Sequence, residues 1–160
     1  MSTFLRAIEF LGLSVWLGSD VFLSFVVAPG AFRILSSRDQ AGAMVGYALG
    51  AMHLSGIICG LLLLLARLAR TKTFASLATP AALCVVLMIA LTAISQFTVS
   101  AKMAALRMEM GSIQATAAGS PKLLEFARLH RISVSLESGV LLAGIAAMYL
   151  MVREFASRPS

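Results

Sequence analysis

The residues best suited to chemistry in this sequence are its two histidines, His53 and His130. Both lie within or beside long apolar segments. Two neutral imidazoles on opposite sides of an iron ion suit haem, whereas an imidazole together with a carboxylate suits a divalent metal. The pair therefore predicts that His53 and His130 bind haem b or a metal ion between the second and fourth apolar segments.

Two acidic residues are placed where they could orient these imidazoles. Asp20 lies inside the first apolar segment, and Glu137 lies two helical turns after His130 on the same predicted face. Ionisable residues within a membrane are costly to bury and are functional by default. We predict that Asp20 and Glu137 surround the ligating imidazoles and orient them without binding the cofactor themselves.

Small residues accompany His53 on its predicted helix. Gly46 and Gly50 share one face with His53 at 3.6 residues per turn. Glycine lets a neighbouring backbone or a flat ligand come close to a helix. Gly46 and Gly50 are therefore predicted to line the cofactor site.

The polar residues of all four apolar segments are predicted to lie in the same half of the bilayer. At 1.5 Å per residue from the side of the first and third loops, Asp20 is roughly 12 Å deep, His53 about 9 Å, Gln96 about 6 Å and Glu137 about 8 Å. Each helix thus contributes a polar group to one region, which is typical of a site in the core of a helical bundle.

The composition determines which elements must position these residues. Apolar residues make up 59% of the 160 residues and charged residues only 12%, against about 25% charged residues in soluble domains. The mean hydropathy of +0.93 agrees. So few polar residues cannot cover the surface of a soluble domain. The sequence therefore predicts an integral membrane protein.

Four apolar runs predict a single all-α domain over residues 1–160, a bundle of four transmembrane helices at about 8–28, 47–66, 80–100 and 132–152. Each run has the roughly 20 residues that cross a hydrocarbon core. Pro29 and Gly30 predict the end of the first helix. The loop between helices three and four is predicted to be partly helical, with a short amphipathic helix over residues 122–131.

The basic residues indicate a lipid partner. The net charge is +6, but the basic side chains lie at the ends of the apolar runs, where they reach lipid headgroups. We therefore expect no nucleic-acid partner. Arg67, Arg70 and Lys72 fall within six residues of the short second loop, which predicts cytoplasmic termini by the positive-inside rule. The predicted location is a bacterial inner membrane.

Two other classes of function compete with cofactor binding. One is a ligand-free structural or assembly subunit of a larger membrane complex. The other is metal or proton transport. Met103, Met108 and Met110 offer thioethers of the kind that select copper. A proton path would use Glu9, Asp20 and Glu137. The sequence has no activated serine or cysteine, no phosphate-binding glycine loop and no zinc-type cysteine pairs, so no catalytic residue is predicted.

Several motifs resemble the small membrane proteins related to transmembrane protein 205, which carry the domain of unknown function 4149. In the first half they are Trp16-Leu17-Gly18, Val21-Phe22, Ser24-Phe25-Val26-Val27-Ala28-Pro29, Phe32-Arg33 and Ala41-Gly42, and then Met52-His53-Leu54-Ser55-Gly56. Before the fourth segment comes Phe126-Ala127-Arg128-Leu129-His130. The resemblance implies a four-helix membrane protein with histidines at these two positions. That family is in turn distantly similar to copper-resistance D proteins and to a haem-binding protoporphyrinogen oxidase family.

Overall fold

The computed structural model describes residues 2–156 of the chain and consists of four long helices. They are α1 (Thr3–Ile34), α2 (Arg38–Thr71), α3 (Pro80–Met110) and α4 (Pro121–Ala156). All four are long and apolar enough to cross a membrane, and the described residues contain no β-strand. The predicted all-α bundle of four transmembrane helices is therefore confirmed. Every helix except α3, which begins at Pro80 as predicted, extends beyond its predicted span at both ends.

The helices pack mainly as two pairs, α1 with α2 and α3 with α4. Large apolar side chains fill the space between the pairs, and the least exposed of them are Leu13, Trp16, Leu63, Val85, Met88 and Val140. Many other large side chains on the outside of the bundle are apolar too, among them Phe25, Leu65 and Leu142. Exposed apolar area on this scale is rare on soluble monomers and is typical of a surface that faces lipid.

The first helix does not end at Pro29 and Gly30, and that prediction is wrong. α1 contains a π-helical turn at Leu23–Val27 and then continues as an α-helix over Ala28–Ile34. Proline lacks an N–H and clashes with the carbonyl four residues earlier. The wider turn just before Pro29, in which the N–H of Ala28 bonds to the carbonyl of Leu23, lets the helix accommodate the ring and continue.

The helical parts of the predicted loop between helices three and four belong to α3 and α4 themselves, and residues 111–120 between them are not helical. α3 continues to Met110 and ends at Gly111, whose φ is +70°. Residues 122–131 do not form a separate amphipathic helix, because they are the first turns of the continuous helix α4. The loop is held against the start of α2 by Asp39, which accepts hydrogen bonds from the Ser112 hydroxyl at 2.6 Å and the Ile113 N–H at 2.9 Å.

A buried ion-pair network closes the other end of the bundle. Glu9 on α1 is 3% exposed and binds the Arg70 guanidinium through both carboxylate oxygens, at 2.6 and 3.1 Å. Arg67 lies 3.7 Å from the same carboxylate and 2.6 Å from Glu154 on α4. It also donates to the carbonyl of Ser76 at 3.1 Å. The network therefore connects α1, α2, α4 and the short turn Phe74–Ala78.

Candidate functional site

His53 forms the centre of a polar cluster inside the bundle. Its side chain on α2 is fully buried. Its Nδ1 lies 2.8 Å from Oε1 of Gln96 on α3, and its Nε2 lies 2.7 Å from Oε1 of Glu137 on α4. A single imidazole therefore joins three helices, and both of its ring nitrogens have a hydrogen-bond partner.

Glu137 is the second member of the cluster. Its Oε1 accepts a hydrogen bond from the Ser95 hydroxyl at 3.0 Å as well as facing His53. Its Oε2 is buried and has no hydrogen-bond partner among the described residues. Two donors at one oxygen suit an ionised carboxylate, which accepts hydrogen bonds and donates none.

Asp20 supplies a second carboxylate from α1. It is 2% exposed, and its Oδ1 accepts a bond from the Ser24 hydroxyl at 3.3 Å. Its Oδ2 is buried and makes no hydrogen bond within the described chain. Asp20 makes no hydrogen bond to Glu137 or His53, but it lies close enough for its carboxylate charge to affect both of them. All four helices thus contribute to one cluster, as the shared depth of these residues predicts.

Two π-helical turns lie next to the cluster. One, Leu23–Val27, follows Asp20, and the other, Ser95–Ser100, begins at the two α3 residues of the cluster. A regular α-helix turns consecutive residues about 100° apart, whereas the wider π turn reduces this angle and lets Ser95 and Gln96 both reach inward. Such turns occur frequently at functional sites.

The glycine face of α2 is covered by planar side chains of the protein itself. A Cβ atom at Gly56 would lie 2.3 Å from Nε1 of Trp16, and one at Gly60 would lie 2.6 Å from the same indole ring. Gly46 lies against the guanidinium of Arg107, with 3.4 Å between its Cβ position and Nη1. Gly50 faces the amide of Gln96. The close approach that the glycines predict is therefore present, and its partners are an indole, a guanidinium and an amide.

His130 is placed differently from His53. It is exposed on the outer part of α4, and its ring makes no hydrogen bond or ion pair with the described residues. At its level the interior side of α4 is formed by Phe126, Leu129 and the buried Ser133. Glu137, two turns further along α4, does reach the interior, where it contacts His53 and Ser95. Residues 2–156 contain no group of three histidine, cysteine or acidic side chains able to hold a metal ion.

Sequence reasoning missed Ser95 and the covering role of Arg107. The signal for Ser95 was its position beside Gln96 in an otherwise apolar run. Arg107 reaches back along α3 to the glycines of α2, and its guanidinium also lies 5.7 Å from the centre of the Phe126 ring. No local pattern indicates that contact, because it depends on the relative height of three helices.

The fold and the cluster together define a small four-helix integral membrane protein with a hydrogen-bonded polar core. More particularly, the chain belongs to the family described as domain of unknown function (DUF4149), whose sequence model matches residues 11–112. The matched segment contains Asp20, His53 and Gln96, whereas Glu137 and His130 follow it. No curated protein and no solved structure gives a significant match.

Proposed function

We propose that this membrane protein binds and releases protons at the cluster of Asp20, His53 and Glu137. The observation that carries the proposal is the fully buried imidazole of His53, whose two nitrogens both face side-chain oxygens. An oxygen of an amide or an ionised carboxylate accepts hydrogen bonds, so both nitrogens donate only when each carries a proton. The geometry therefore suits an imidazolium beside a carboxylate.

The charge of the cluster supports the same function. With a neutral imidazole and both carboxylates ionised, Asp20, His53 and Glu137 together carry two negative charges. Two additional protons therefore make the three groups neutral. An unbalanced charge in the apolar interior is costly. Gain or loss of one proton therefore changes the stability of this arrangement strongly, and the unpartnered oxygens of Asp20 and Glu137 are acceptors available to that proton.

Nuclear magnetic resonance of the protein labelled with ¹⁵N-histidine tests the proposal, because the chain has two histidines. We expect His53 to show a proton on each ring nitrogen near neutral pH, and one of these protons to be lost in Glu137→Gln. The exposed His130 is the internal control, and its spectrum should not change in that variant. A wild-type His53 with one protonated nitrogen would contradict the imidazolium.

Infrared difference spectra between acidic and alkaline buffer test proton release. We expect a carboxylic C=O band that disappears in Asp20→Asn or Glu137→Gln and is retained in the control Glu109→Gln, since Glu109 is an exposed partner of Lys122. If no band depends on Asp20 or Glu137, the cluster serves only to hold the helices together.

Haem b or metal binding through His53 and His130 stays a proposal of the second rank. To ligate iron, His53 has to give up its hydrogen bond to Gln96 or to Glu137. The same haem then has to reach the exposed His130. A flat cofactor at Gly46 and Gly50 has to displace Arg107 or Gln96 from those glycines. Absorption spectra of the purified protein, oxidised and reduced, together with elemental analysis for iron and copper, test this alternative.

Three further predictions are retained as proposals. The second loop lies on the cytoplasmic side, the membrane is a bacterial inner membrane, and the protein assembles with other membrane subunits. The cytoplasmic position of the second loop rests on its three basic residues, and labelling of single cysteines from each side of the membrane tests it.

Assembly with other subunits is supported by Gly18 and Gly30, which leave open space for a neighbouring helix.

A further inference from the structure

A groove of about 310 Å³ lies on the outer face of the bundle between α3 and α4. Its walls are apolar side chains, Leu91 from α3 and Ile132 and Leu136 from α4. Gly139 forms the deep end, where a Cβ atom would lie 3.1 Å from the Leu91 side chain. The groove therefore exists partly because residue 139 has no side chain.

Two arginines, Arg128 and Arg131, line the same groove at its loop end. Both are exposed, and neither forms an ion pair with a carboxylate of the described residues. Glu125, one turn earlier, is likewise exposed and does not pair with them. The mouth of the groove thus carries two positive charges that no side chain of residues 2–156 neutralises.

The two ends of the groove lie at different depths in the membrane. Arg131 and Gly139 are eight residues apart on one helix, which corresponds to roughly 12 Å along its axis. Arginines at the end of a transmembrane segment reach the headgroup level, whereas Leu91 and Gly139 then lie among the acyl chains. This order of charge and apolar surface matches a phospholipid molecule.

We propose that the groove between α3 and α4 is a binding site for one anionic phospholipid. Arg128 and Arg131 bind its phosphate, since the guanidinium group forms paired hydrogen bonds with phosphate oxygens. One acyl chain lies along Leu91, Ile132 and Leu136 and ends at Gly139. A zwitterionic lipid fits the same groove but offers the arginines no net negative charge.

Native mass spectrometry of the detergent-solubilised full chain tests the preference, with phosphatidylglycerol and phosphatidylcholine of identical acyl chains as probes. Each basic residue near a membrane surface contributes about 1 kcal/mol of attraction to anionic lipid. Replacing both arginines in Arg128→Gln/Arg131→Gln should therefore reduce the preference for phosphatidylglycerol about 30-fold.

The matched control is Arg33→Gln/Arg38→Gln, which removes two exposed charges on the same side of the membrane but outside the groove. We expect this variant to keep the wild-type preference. An equal loss in both double variants would show that overall charge, rather than the groove, attracts the lipid, and would overturn the proposal.

A second variant tests the groove with its charges intact. Ser135 is exposed and lines the groove, so Ser135→Phe fills it without disturbing the core. We expect this variant to lose the tight binding of the first phosphatidylglycerol molecule, and we expect glycerol phosphate to be unable to compete for the site in the wild type. Unchanged lipid binding in Ser135→Phe, or full competition by glycerol phosphate, would contradict an acyl-chain groove.

Discussion

Replacing Glu9 by glutamine should destabilise the folded bundle by about 3–5 kcal/mol, the cost of removing one partner from a buried ion pair. Glu9 provides the carboxylate that Arg70 binds at 2.6 Å and that Arg67 approaches to 3.7 Å. Both arginine side chains are largely buried, with 9% and 4% exposed. Glutamine has nearly the same shape but no charge, so the substitution removes the carboxylate that Arg70 binds, while Arg67 keeps its ion pair with Glu154.

Unfolding of the detergent-solubilised protein with increasing denaturant measures this effect. Glu109→Gln is the matched control, because Glu109 pairs with Lys122 at 2.9 Å while both side chains are half exposed. An exposed pair of this kind contributes about 0–1 kcal/mol. A loss in Glu9→Gln no larger than in the control would mean that water or lipid headgroups solvate the arginines in place of Glu9.

Adding one methyl group at Gly56 should cost about 3 kcal/mol of stability, at the upper end of the usual range for an overfilled core. The new Cβ atom would lie 2.3 Å from Nε1 and 2.5 Å from Cε2 of Trp16. The indole is 1% exposed, and its six-membered ring also lies against Gly60. Gly56→Ala therefore has to push α1 away from α2.

Gly18→Ala is the control for Gly56→Ala, because nothing lies within 4 Å of its Cβ position. It should be neutral or stabilising by up to about 1 kcal/mol through helix propensity. The double variant Trp16→Leu/Gly56→Ala should lose less stability than the two single variants together, since the smaller side chain removes the clash. Strict additivity would show that Trp16 and Gly56 do not interact, contrary to the packing described above.

The stripe Glu9, Trp16 and Asp20 shows how far helical spacing alone can predict this fold. Intervals of seven and four residues predict that all three face other helices, and all three are buried. Their partners could not be predicted from the same spacing. Glu9 binds arginines at the end of α2 near the second loop, whereas Asp20 lies beside the cluster around His53. The partner of each residue depends on which side chains of the neighbouring helices lie at the same height.

His130 and Glu137 show the opposite case. Their spacing predicts one shared face, yet Glu137 bonds to His53 while His130 is exposed. Helical spacing places two side chains on one side of a helix, but it does not determine which neighbouring helix, if any, lies opposite each of them. The π-helical turn at Ser95–Ser100 is a second feature that regular helical spacing does not predict, and it turns Ser95 and Gln96 inward together.

The four helices, and the presence of a polar group on each of them, could be predicted from the sequence alone. These properties follow from local physics, because a segment in hydrocarbon must satisfy its own backbone hydrogen bonds and can do so only as a helix. Tertiary packing was needed to show that Trp16 and Arg107 cover the glycines, that His53 bonds to Gln96 and Glu137, and that α1 continues past Pro29. Those outcomes depend on the relative height and rotation of packed helices, which side-chain packing across the whole bundle determines.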